Sequence, residues 1–193
     1  MRMIRLKDQH DYGWEVPPCS RKELLRQAHA IHKALGYTGD GPFPILKLAE
    51  HVFYKVYEGY DFDIATEADL GDDLGKTYPD KHLIRIREDV YNAAAQGQGL
   101  ARAVVAHECG HLLLHQDIPV AMARREATKE LPAYKSSEWQ ANAMAGALLM
   151  PASKIIDLSP HEIVEKYQVS LSAAETQLHA VRKEAQRWRL PQL

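Results

Sequence analysis

Apolar and polar residues follow two different periods in the first half of the chain. Between residues 20 and 35 the apolar positions recur at helical spacing, starting from a capping-box sequence (Ser20 to Glu23) and ending before Gly36. Residues 82–87 instead alternate apolar and charged side chains, which is typical of a half-buried strand. The pattern therefore predicts a helix near the start of the chain and a strand before its middle.

The pattern is weaker between these two elements. Pro44 can begin a short helix, and residues 52–57 are rich enough in apolar and aromatic side chains to predict a strand. Residues 58–80 are acidic and contain glycine, so we expect loops there with one or two short strands.

Two later stretches predict helices that pack against each other. Residues 99–115 are apolar on several sides, which indicates a core helix. Residues 136–150 start with two serines, either of which can cap a helix, and Pro151 ends the pattern. Alanine and glycine on one face of this second helix allow a neighbouring helix to approach closely.

The first of these two helices contains the motif His107-Glu108-x-x-His111. Residues four apart on an α-helix lie on one face, about 6 Å apart along the axis, so both imidazoles can reach one tetrahedral metal ion. Glu108 lies one step round the helix, where it can act on a water molecule rather than on the metal. The motif is typical of a zinc hydrolase; the alternative is a core helix whose two histidines are hydrogen-bonded.

A catalytic zinc ion usually has three protein ligands, so the motif needs a third. His115 continues the series, but on a straight helix it lies about 12 Å along the axis from His107, and we expect a helix-end residue. Asp117 follows His111 by six residues, the spacing of metzincin-type proteases. That arrangement needs a glycine turn, and Leu114 stands in its place.

Glu138 is the third ligand that we favour. It lies 27 residues after His111 (138 − 111), in the first turn of the second helix, where the helix dipole favours a carboxylate anion. Asn142, one turn later, can hydrogen-bond a ligand histidine. The sequence therefore predicts a metal site of His107, His111 and Glu138 with Glu108 as the catalytic residue; the alternative is an exposed first-turn glutamate.

Three segments together resemble a known family. They are the His-Glu-x-x-His motif, the Leu-Leu-His sequence that follows it, and the segment that runs from Glu138-x-x-Ala141-Asn142 to Leu148-Leu149-Met150-Pro151. With these segments the chain resembles the ImmA/IrrE metallopeptidase family over about residues 44–183. The resemblance implies that the two motif histidines and the later glutamate bind Zn²⁺, and that the motif glutamate is catalytic.

The resemblance also implies a substrate. Characterised members of that family are linked to cleavage of helix-turn-helix repressors, so we expect a zinc-dependent endopeptidase that cleaves such a repressor or a related regulatory protein. The segment 116–137 is longer and more charged than the resemblance leads us to expect. This departure bears on how a substrate reaches the site and not on metal binding. One alternative is a regulatory protein of toxin–antitoxin type that binds its partner on the same scaffold without cutting it.

A second alternative is a DNA-binding regulator acting through residues 159–185. A capping box at 159–162 opens a short helix, and a tight turn leads into a longer one, which is a helix-turn-helix outline. The longer helix begins at residues 171–177 without lysine or arginine, whereas contacts to phosphates and bases need cations. Helix pairs of this kind more often close the core, so we do not expect nucleic-acid binding.

Composition restricts the partners, the disulfide content and the location that we expect for this chain. A net charge of −2, with 46% hydrophobic and 26% charged residues, gives no global attraction to nucleic acid or to an anionic membrane. Two cysteines do not indicate a disulfide framework, and Cys109 in the motif helix is expected to be a small buried residue. No apolar leader and no 18-residue apolar run is present, so we expect a soluble, cytoplasmic protein.

These observations predict an α+β, zincin-like fold. A small, mostly antiparallel sheet would back the active-site helix, and a helix pair of helix-turn-helix outline would follow. We expect an N-terminal tail over residues 1–18, a zincin-like metallopeptidase domain over 19–158, and a C-terminal helical segment over 159–193 packed on it.

Overall fold

The fold is α+β and mostly helical, in a computed structural model that describes residues 13–116, 118 and 131–188. The helices are α1 (Arg21–Ala34), α2 (Ile45–Lys47), α3 (Phe53–Val56), α4 (Glu67–Leu70), α5 (Glu88–Ala95), α6 (Gly99–His115), α7 (Ser137–Leu149), α8 (Ala152–Ile155), α9 (Pro160–Tyr167) and α10 (Leu171–Trp188). The strands are β1 (Asp61–Ala65), β2 (Gly75–Tyr78) and β3 (Leu83–Arg87). The predicted α+β, zincin-like class is confirmed.

Within the described part of the chain the three strands form one sheet in the order β1-β3-β2. β2 and β3 form an antiparallel hairpin, whereas β1 lies parallel to β3 on its other side. The sheet is therefore mixed, where we had expected mostly antiparallel pairing. The alternation in residues 82–87 predicted β3 correctly, with Ile84 and Ile86 fully buried. A period of two identifies a strand but does not specify the direction of its neighbour.

The predicted strand at residues 52–57 is wrong, because this stretch is helical. A π-helical turn, Leu48–Val52, joins α2 to α3. The buried residues Ile45, Leu48, Ala49 and Phe53 recur at a spacing of three to four, which is the helical signal that the aromatic composition obscured.

Helix boundaries follow the capping residues that the sequence indicates. The Ser20 and Ser159 side chains each form a complete capping box, at the start of α1 and α9. Ser136 caps α7, accepting a hydrogen bond from the backbone N–H of Trp139, and α7 ends at Leu149 before Pro151. These three helix starts were predictable because each depends on residues within one helical turn.

Helices α6 and α7 lie at the centre of the fold, and α6 also packs against β2 and β3. The two helices approach closely at Gly110, where an added Cβ atom would lie 2.9 Å from the carbonyl oxygen of Ala141. Cys109 is fully buried on α6, as expected. The close approach of α6 and α7 positions the side chains described below.

Helices α9 and α10 cover the same core. Ile163 and Tyr167 of α9 are fully buried, and the Arg182 guanidinium of α10 donates hydrogen bonds to the carbonyls of Ile156 and Leu158. The described parts of 19–158 and 159–193 share one hydrophobic cluster, and their division stays a prediction. Among the described residues, no helix is long and apolar enough to cross a membrane.

Candidate metal centre

Three side chains converge where α6 passes the first turn of α7. One ligand atom each from His107, His111 and Glu138 lies within 4.8 Å of the others. The two carboxylate oxygens of Glu138 lie 3.2 Å from His107 Nε2 and 3.3 Å from His111 Nε2, and the two Nε2 atoms are 3.0 Å apart. Two imidazole nitrogens and a carboxylate form a donor set that suits a divalent metal ion such as Zn²⁺. The residues present therefore fit a metal ion.

Glu138 and His107 shift each other's pKa values toward the charged forms. Burial by itself would raise the pKa of Glu138, but hydrogen bonds to His107 and His111 outweigh it and hold this pKa far below its ordinary value. Burial would lower the pKa of His107, yet the hydrogen bond to Glu138 and the nearby Glu108 raise it. The cluster thus carries the anionic carboxylate that a metal ion requires.

Asn142 lies one turn along α7 from Glu138. Its Oδ1 is 2.9 Å from His107 Nδ1. An amide oxygen accepts hydrogen bonds, so His107 donates from Nδ1, and Nε2 is the nitrogen that faces Glu138. The contact is the one that the sequence indicated; its role in metal binding stays a prediction.

Glu108 lies on the neighbouring face of α6, which is directed toward β2. Its side chain is buried, and the hydroxyl of Thr77 on β2 lies 2.7 Å from Glu108 Oε2. This hydrogen bond orients the carboxylate and leaves it outside the group of metal-binding atoms. Sequence reasoning missed Thr77, because it lies in the stretch that was expected to be mainly loop.

His115 is the last residue of α6, as the sequence indicated, but its side chain is fully buried behind His111. Its Nδ1 lies 3.2 Å from His111 Nδ1, and its Nε2 lies 3.2 Å from Gln140 Oε1. Burial and the neighbouring His111 lower the pKa of His115 to about 4. The sequence signal was the spacing of four from His111, which places both rings on one face of the helix.

Residues 13–19, which we call the N-terminal strap, pack against the candidate metal centre. Backbone hydrogen bonds join the strap to residues 134–137, and the N–H of Trp14 also donates to Ser137 Oγ. The ring centroid of Trp14 lies 5.7 Å from that of His111. Gly13 has φ +63°, and an added Cβ would lie 2.2 Å from Ser137 Oγ. The described end of the predicted tail is therefore packed against the site.

Of the two ligand positions that we did not favour, His115 can be compared with the structure. His115 contacts His111 through Nδ1 instead of joining the converging group. Asp117, the metzincin-type candidate, lies outside the described residues.

Comparison with known families agrees with this geometry. The sequence model of a peptidase family, M78, described as an IrrE N-terminal-like domain, matches residues 63–179, which is more than half of the chain. The match contains β2, β3, α6 and α7, and so every residue of the converging group. Among curated proteins, none matches the chain.

Proposed function

The chain belongs to the peptidase family M78 with its IrrE N-terminal-like domain, a family of metallopeptidases, and on this premise we propose that it is a zinc-dependent endopeptidase. The observation that carries the proposal is the grouping of His107, His111 and Glu138 beside a glutamate that is not part of the group. A protein that only binds its partner has no need of Glu108 in that position.

In the proposed reaction, His107, His111 and Glu138 hold the metal ion. Bound there, Zn²⁺ would polarise the scissile carbonyl and lower the pKa of a water molecule toward about 7. Glu108 takes a proton from the attacking water and delivers it to the leaving amine. Thr77 holds Oε2 of Glu108, and we assign the proton transfer to Oε1.

We propose a helix-turn-helix transcriptional repressor or a related regulatory protein as the substrate, and the cytoplasm as the place of action. This choice rests on the resemblance to the ImmA/IrrE family. β2 is an edge strand beside Glu108, so an extended segment of the substrate can pair with it by strand addition.

The experiment is a cleavage assay with purified protein. A helix-turn-helix repressor encoded beside the gene is incubated with the zinc-loaded chain, with and without a chelator, and with Glu108→Gln as the matched control. We expect fragments from the zinc-loaded wild type alone. A stable complex without fragments would instead favour the non-cleaving binding protein.

The DNA-binding alternative has less support. Arg182 on α10 is occupied by carbonyls of its own chain. The first turn of α10 presents Leu171, Ser172 and Glu175 to solvent, none of which neutralises a phosphate. A gel shift that weakens as salt is added would support this alternative.

A further inference from the structure

A chain of hydrogen bonds extends from His111 away from the metal centre. His111 Nδ1 contacts His115 Nδ1 at 3.2 Å, and His115 Nε2 contacts Gln140 Oε1 at 3.2 Å. Gln140 Nε2 then lies 2.9 Å from the carbonyl oxygen of Pro17 and 2.8 Å from that of Tyr134. We call His115, Gln140 and these two carbonyls the His111 relay.

The direction of each hydrogen bond follows from the far end of the relay. Backbone carbonyls only accept, so the amide NH₂ of Gln140 must donate to Pro17 and Tyr134, and its oxygen must face His115. An amide oxygen also only accepts, so His115 donates from Nε2 and is left with a lone pair on Nδ1. His111 therefore donates from Nδ1, and its Nε2 is left for Glu138 or for a metal ion.

This assignment satisfies every donor and acceptor in the relay. The Nε2 atom of His111, which takes no part in the relay, is the atom that faces Glu138 and His107. Both His115 and Gln140 are almost completely buried, so water does not compete for these hydrogen bonds. The opposite tautomer of His111 would leave two acceptors facing each other within the relay, either the two Nδ1 atoms or His115 Nε2 and Gln140 Oε1.

We propose that His115 and Gln140 are positioning residues that fix the tautomer and the ring orientation of His111 for metal binding. The inference rests on the proposed metal site and adds a route by which the N-terminal strap acts on it. The carbonyl of Pro17 accepts a hydrogen bond from Gln140, Gln140 accepts one from His115, and His115 accepts one from His111, the proposed metal ligand. Partners of this kind behind a metal-binding histidine typically contribute about 10–100-fold to metal affinity.

The first test needs no substitution and no metal. Long-range ¹H–¹⁵N NMR of the metal-free wild-type protein reports which ring nitrogen of each histidine carries the proton. We expect a proton on Nδ1 of His111 and the Nε2–H form for His115. A His111 without a proton on Nδ1, or an Nδ1–H form for His115, would overturn the proposal.

The second test compares two substitutions at position 115 by competition for Zn²⁺ with a chelating dye. His115→Leu removes the acceptor and should weaken Zn²⁺ binding about 10–100-fold, whereas the amide oxygen of His115→Gln can still accept and should restore most of it. His179→Leu, at an exposed histidine of α10, is the matched control and should not change the affinity.

The outcomes separate the relay from the proposed function. A folded His115→Leu protein that binds Zn²⁺ as tightly as the wild type would overturn the proposal. If the wild type binds no divalent metal, the proposed function fails, and the NMR tautomers still decide whether the relay orients His111. If His115→Leu does not fold, the same NMR measurement decides.

Discussion

The two sides of α6 differ in how they hold their functional residues. Toward α7 and the N-terminal strap, each histidine of the motif has a hydrogen-bond partner behind it, Asn142 for His107 and His115 for His111. Toward β2, Glu108 is held by the hydroxyl of Thr77, which belongs to this edge strand of the described sheet. One helix therefore holds the candidate metal ligands on one face and Glu108, the proposed proton-transfer group, on the neighbouring face.

We infer from this difference that metal binding and proton transfer can be disturbed separately. A change on the α7 side should lower metal affinity, and activity should fall with it. A change on the β2 side should lower the cleavage rate and leave the metal in place. The four predictions below test this separation.

The largest effect is expected for Glu108→Gln. An amide cannot accept the proton from water, so cleavage should fall by about 10²–10⁴-fold, while the metal content stays at the wild-type level. Cleavage rate and elemental analysis of the same preparation measure the two quantities. Wild-type cleavage by this variant would remove Glu108 from the mechanism.

Glu138→Ala should lose metal and activity together. The loss of affinity should exceed the roughly 10–100-fold effect of removing a partner behind a ligand, because a ligand itself is removed. Equilibrium dialysis against Zn²⁺ followed by elemental analysis measures it. Asp117→Ala is the control and should keep its metal; the reverse result would favour the metzincin-type ligand.

Gly110→Ala tests the close approach of the two helices. The added Cβ would lie 2.9 Å from the carbonyl oxygen of Ala141, so α7 must shift, and we expect a loss of about 1–3 kcal/mol in the free energy of unfolding with weaker Zn²⁺ binding. Urea denaturation and dye competition measure these quantities. Gly146→Ala on α7 is the matched control, because its Cβ would meet the end of the flexible Gln177 side chain instead of backbone. Equal losses in both variants would contradict a special role for Gly110.

Thr77→Val should have the smallest effect. It removes a hydrogen bond to Glu108 worth about 0.5–1.5 kcal/mol, so the cleavage rate should fall about 2–10-fold with unchanged metal affinity. Thr77→Ser keeps the hydroxyl and should keep the rate. A drop in metal content for Thr77→Val would show that the two sides of α6 are not independent.

The sequence predicted the parts of the site that depend on local spacing. The pair His107 and His111, the cap at Ser136 and the position of Glu138 in the first turn of α7 all follow from residues within one or two turns. For the same reason the α+β class and the helix starts were predictable.

The residues that were missed depend on contacts between distant parts of the chain. Thr77 reaches Glu108 across 31 positions, and Gln140 reaches Pro17 across 123. No periodic pattern records such contacts, and the parallel pairing of β1 with β3 is another that local sequence does not specify. The error at residues 52–57 was different in kind, because the helical spacing of the buried residues was present in the sequence.

Anomalous diffraction at the zinc edge, from a crystal of the zinc-loaded protein, tests the central claim most directly. The account predicts a peak about 2.0–2.2 Å from His107 Nε2, His111 Nε2 and a carboxylate oxygen of Glu138. A peak bound by other residues, or a Glu138 side chain turned outward to solvent, would contradict it.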